Sequence, residues 1–91
     1  MPEEVLFETE NRQSRADIAS YFRRVADALE AGESITLKAG EQSVELTPPD
    51  QPTFEVKAER EGQPNQPGEL SIEFEIEWDE NGAERGELEI E

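Results

Sequence analysis

Glu73, Glu75 and Glu77 alternate with Phe74, Ile76 and Trp78 in the run SIEFEIEW (Ser71–Trp78). A carboxylate at every second position suggests two kinds of chemistry, capture of a hard cation or an acid–base pair. Ca²⁺ takes about six to eight oxygens and Mg²⁺ near-octahedral geometry. Alternate residues of a strand instead line one flat face, which cannot wrap an ion. An acid–base pair needs environments that separate two pKa values, and an exposed row of like groups supplies none. With Glu55 and Glu59 expected alongside, these glutamates read as a solvated face. Neither a catalytic pair nor a metal site is assigned to them.

Trp78 closes the apolar half of the same alternation. It could offer a flat platform to a ligand or partner. Its position in phase with Ile72, Phe74 and Ile76 fits better a core cap whose indole N–H lies near the edge. Arg12, Arg15, Arg23 and Arg24 gather four of the eight basic residues on or just before one segment. They could receive an acidic partner, but local pairing is the simpler expectation, since Arg23 lies one helical turn before Asp27. Such i,i+4 pairs contribute about 0.2–0.5 kcal/mol. The candidate interaction surface drawn from these residues is Arg23, Arg24, Glu73, Glu75, Glu77 and Trp78.

The residue types that are missing exclude more. The 91 residues contain no histidine and no cysteine, which removes the commonest general base, the usual zinc ligands and any disulfide. No nucleophile–base pair and no glycine-rich phosphate cradle is visible, so no enzyme activity and no cofactor are expected. So short a chain also leaves little room for a pocket of a few hundred cubic ångströms. No apolar run reaches the roughly 20 residues of a membrane span. MPEEVLFE lacks the basic and long apolar regions of a secretory signal, and the expected location is the cytoplasm.

The formal net charge is −16, from 24 acidic and 8 basic residues. The acids are spread along the whole chain, and only Lys38 and Lys57 are lysines. A charge that mimics nucleic acid should cluster, so this distribution points to solvent adaptation and a salt-rich, halophilic cytoplasm. Molar salt shortens the Debye length to about 3 Å, whereas in dilute buffer the same charges oppose compaction. Without a basic stripe, direct nucleic-acid binding is not expected. Like charge favours a monomer over a homodimer in dilute buffer.

These residues need elements to position them. Val5–Glu8 reads as a short strand. Ser14, with Asp17 three residues on, resembles a capping box, and Ile18, Phe22, Val25 and Leu29 share one face of the helix that follows. Gly32 is a natural stop. Ile35/Leu37 and Val44/Leu46 then alternate about KAGEQ as a hairpin, and TPPDQP (Thr47–Pro52) is a loop. Phe54, Val56 and Ala58 face one way, as do Leu70, Ile72, Phe74, Ile76 and Trp78 after the connection EGQPNQPGE. The expected fold is α+β: an antiparallel, mostly meander sheet of four to five strands. One amphipathic helix covers one face, and the opposite face is acidic and solvated. Residues 1–78 are expected to form a single domain. Residues 79–91 are an acidic tail in which Leu88 and Ile90 give either a weak edge strand or a mobile end.

Laid out in this way, EVLFETE, YFRRVADALEAGESITLKAG, PTFEVKAERE and LSIEFEIEW resemble the amphi-Trp domain family, from about Glu3 to Trp78. The resemblance implies a small α+β domain of a kind met in halophilic archaea, with Trp78 as the tryptophan after its amphipathic strand. It transfers no activity to any residue. The functional expectation is thus a non-catalytic protein-interaction module with an unidentified protein partner. The alternative is a domain that binds a small ligand or a cation.

Overall fold

A computed structural model of the chain describes residues 3–80, and the proposed Leu88–Ile90 strand lies outside them. The fold is α+β. Its contacts gather into two units, Met1–Asp50 and Gln51–Glu91, divided within the proline-containing linker.

In the first unit a segment without regular secondary structure leads into helix α1, Arg15–Ala31. Ser14 caps the helix in an extended conformation, and its Oγ accepts a hydrogen bond from the Asp17 backbone N–H at 3.0 Å. One otherwise unsatisfied N-terminal donor is thereby satisfied, and the Asp17 carboxylate sits in the first turn, where the helix dipole favours it. At the other end Gly32 adopts φ 70°. The Gly32 N–H donates to the Leu29 carbonyl at 3.2 Å and the Glu33 N–H to the Ala28 carbonyl at 2.9 Å, a Schellman closure.

Strands β1, Ile35–Ala39, and β2, Gln42–Leu46, pair antiparallel across the two residues Gly40 and Glu41. Gly40 has φ 58°, the left-handed value that a tight hairpin turn demands. Ile35 faces Leu46 and Leu37 faces Val44, so the apolar positions of the two strands share one face. Helix α1 lies against β1.

Val5–Glu8 does not form the expected strand. Its backbone is instead held at one point. The Glu8 N–H donates to Gln42 Oε1 at 3.2 Å, and Gln42 Nε2 donates to the Glu8 carbonyl at 3.1 Å. The side-chain amide of Gln42 thus does for one residue what a neighbouring strand would do for several.

The second unit is a long hairpin of β3, Thr53–Glu61, and β4, Glu69–Glu77. All nine residues of each strand are in register, from Thr53 opposite Glu77 to Glu61 opposite Glu69. At the neck of the loop, a side chain on Gly68 would run into the Glu61 carbonyl oxygen, and Gly62 holds φ 146°. Arg60 Nη2 closes the loop by donating to the carbonyls of Gln63, at 3.3 Å, and Gln66.

Among the described residues the strands pair as two two-stranded antiparallel sheets, and the expected meander of four to five strands is seen only as these two hairpins. Period-2 patterning assigns each strand its two faces, but it does not dictate which strand lies next to which. Among the described residues none is fully buried. Ile76 and Trp78 are half-buried, while Ile72 is 69% exposed and Phe74 52%.

Candidate functional site

The β3–β4 hairpin divides its chemistry cleanly between two faces. Odd-numbered positions carry Glu55, Glu59 and Glu61 on β3 and Glu69, Glu73, Glu75 and Glu77 on β4, with Lys57 among them. Even-numbered positions carry Phe54, Val56 and Ala58 opposite Ile76, Phe74 and Ile72, followed by Arg60 opposite Leu70. The sequence alternation thus becomes a ribbon with one acidic side and one apolar side.

On the acidic side, Lys57 Nζ lies 3.5 Å from Glu59 Oε2 and 3.6 Å from Glu73 Oε2. Glu59 first, and Glu73 after it, hold the ammonium pKa above its ordinary value. Glu75 sits opposite Glu55, with Glu77 two residues along the same face. Glu77 most strongly, and then Glu55, push the Glu75 carboxyl above the ordinary carboxylate value. Among the described residues no three carboxylates converge where they could hold a metal ion. Glutamates on one flat face spread apart, and their charge is met by one lysine and by water.

On the apolar side, Phe54 is 62% exposed, Val56 56% and Leu70 79%. Trp78 follows the last residue of β4 and is half-buried. Of the residues singled out in sequence, Glu73, Glu75 and Glu77 share the acidic face. Arg23 and Arg24 belong to α1 in the other unit. The expected Arg23–Asp27 ion pair does not close among the described residues, where the salt bridges converge on Lys57. A cation preceding an anion by four residues is the weaker order on a helix, and both side chains are exposed.

Sequence reasoning missed a groove of about 950 Å³ in the first unit. Phe7 and Glu10 of the N-terminal segment, Tyr21 and Arg24 of α1, and Leu37 and Lys38 of β1 are among the residues that frame it. Little room for a pocket is expected in so short a chain, and what it forms here is an open groove rather than an enclosed cavity. Its walls come from the N-terminal segment, α1 and β1, which are far apart in the sequence. Local patterning carries no signal for that. Trp78 is not among its lining residues. Among the described residues, no helix is long and apolar enough to cross a membrane.

No curated protein and no solved structure matches the chain. The family model of the Amphi-Trp domain does, over residues 1–91, and the chain belongs to that family.

Proposed function

We propose that this chain is a non-catalytic protein-interaction module, that the apolar face of its β3–β4 hairpin is the contact element, and that it works in a salt-rich cytoplasm. One observation carries the reading. Phe54, Val56, Leu70, Ile72 and Phe74 stand on one side of a regular hairpin, each more than half exposed. A contiguous apolar face of this kind on an otherwise polar protein is a typical contact surface. The glutamates opposite occupy the other face of the same hairpin. The non-catalytic part rests on the sequence, which offers neither histidine nor cysteine for nucleophilic or general-base chemistry.

The experiment is affinity purification of the tagged protein at molar KCl, with mass spectrometry of what co-elutes. A stoichiometric protein that is lost with Ile72→Glu and retained with Glu75→Gln supports the reading. A protein retained equally by both variants counts against the hairpin as the contact element.

A second reading is a small-ligand domain, favoured by the groove of the first unit. Its volume is of the size that small-molecule sites occupy, and Tyr21, Arg24 and Lys38 supply polar groups beside apolar walls. Native mass spectrometry of protein purified from its own cytoplasm tests it. An added mass that disappears with Arg24→Ala supports a ligand there, and bare chain mass in every preparation removes it.

A further inference from the structure

We propose that the groove of the first unit binds a small organic monoanion, an apolar body carrying one carboxylate. This rests on the small-ligand reading of that groove and names the chemical class of its occupant.

Three observations carry it. First, the charge of the groove is opposite to that of the chain. The charged residues that frame it are Arg24, Lys38 and Glu10. Cations outnumber anions there, whereas the whole chain holds 24 acidic residues against 8 basic. The surplus is one positive charge, which a single carboxylate neutralises and a phosphate dianion overshoots.

Second, neither cation is already paired. Among the described residues the salt bridges converge on Lys57, and neither Arg24 nor Lys38 takes part in one. A guanidinium meets the two oxygens of a carboxylate with a fork of N–H donors. An ammonium adds a compact charge that can approach the same head group.

Third, the lining is layered by polarity. Phe7, Val25 and Ile35 line the groove and are half-buried, whereas Tyr21, Arg24 and Lys38 line it and are exposed. Apolar groups thus lie deeper than charged ones. A ligand with an apolar body and an anionic head suits both layers, with the body against the inner side chains and the head among the cations. The volume of about 950 Å³ is ample for such a molecule. The net charge of −16 repels any anion at a distance. Molar salt confines that repulsion to about 3 Å, a range within which a carboxylate in contact with Arg24 still lies.

The test uses the full chain, isotope-labelled, at about 1 M KCl. It is titrated with phenylbutyrate and, separately, with phenylbutanol, which keeps the apolar body and lacks the charge. Backbone amide shifts read the binding. The expected result is saturable shifts in α1 and β1 with the acid, and binding of the alcohol about tenfold weaker. Arg24→Gln and Lys38→Gln should each weaken the acid about two- to fivefold and leave the alcohol unchanged, and Glu10→Gln should tighten the acid. All three side chains are exposed, so the fold should tolerate these changes.

Equal affinity for acid and alcohol in the groove overturns the anionic class and leaves the small-ligand reading standing. Shifts confined to β3 and β4, or indifferent to all three substitutions, overturn the proposal by placing the probe elsewhere. No saturable shift from either probe also overturns it. Combined with bare chain mass in native mass spectrometry, that last result removes the small-ligand reading as well.

Discussion

The Phe54 and Phe74 rings stack with their centroids 6.3 Å apart and their planes 14° from parallel. They are diagonal rather than direct partners, since Phe54 pairs with Ile76 and Phe74 with Val56. The contact therefore ties together two successive rungs of the hairpin and is sensitive to register. A one-residue slip would move one ring to the acidic face.

Aromatic pairs of this kind contribute about 0.5–1.5 kcal/mol beyond the area they bury. A double-mutant cycle with Phe54→Leu and Phe74→Leu should return a coupling within that range, toward its lower end because both rings are more than half exposed. Chemical denaturation followed by Trp78 fluorescence gives the measurement, since Trp78 is the single tryptophan of the chain. Strict additivity would show that the stacking does not stabilise the hairpin.

Much of the local structure was legible in the residues, and its assembly was not. Ser14 and Gly32 announced both ends of α1 because capping is decided within a few residues of chain. Gly40 announced the β1–β2 turn for the same reason. The alternation of Glu73, Glu75 and Glu77 with Phe74 and Ile76 gave the two faces of β4. Pairing between β2 and β3 is a different matter. Pro48, Pro49 and Pro52 lie between them, and period-2 patterning does not say which strand pairs with which. The Glu8–Gln42 tie is one long-range side-chain contact that no periodicity encodes.

That tie makes its own prediction. Gln42→Ala removes both the acceptor and the donor that hold Glu8, at a cost of about 0.5–1 kcal/mol for an exposed pair of bonds. The Glu8 amide should exchange with solvent faster, while the amides within α1 keep their rates. Gln42→Glu retains the acceptor and loses the donor, so it should fall between the two. Unchanged Glu8 exchange in both variants would mean that the N-terminal segment is anchored elsewhere.

The two glycines that bracket short connections should behave differently. Gly68→Ala places a methyl against the Glu61 carbonyl oxygen and the Gly62 Cα, so the loop neck must open, at about 1–3 kcal/mol. Gly40→Ala meets nothing within 4 Å, and its cost is the backbone strain of φ 58° alone, about 1 kcal/mol. Amide exchange in β3 and β4 should accelerate for the first variant, and exchange in β1 and β2 for the second. Equal loss in both hairpins from either change would contradict the division into two units.

The pH response follows from Glu75 and Lys57. A carboxyl raised by Glu77 and Glu55 favours the folded hairpin when protonated. Its contribution is complete below the ordinary carboxylate pKa and is lost as pH rises through the folded value. In dilute buffer, Glu75 should therefore make the hairpin more stable at about pH 5 than at about pH 7. Lys57 sets the alkaline limb. Its pKa is raised by Glu59 and Glu73, so its contribution holds below the ordinary lysine value and is lost as pH rises through the folded one. Glu75→Gln should raise the melting temperature at neutral pH and flatten the response on the acid side. Molar KCl should raise the wild-type melting temperature and shrink the gain from the substitution, because it screens exposed carboxylates. Thermal melts of both proteins at the two pH values and two salt concentrations, read by Trp78 fluorescence, separate these effects. A wild-type melting temperature that is indifferent to salt would remove carboxylate repulsion, and the salt-adaptation reading with it, as an account of this acidic face.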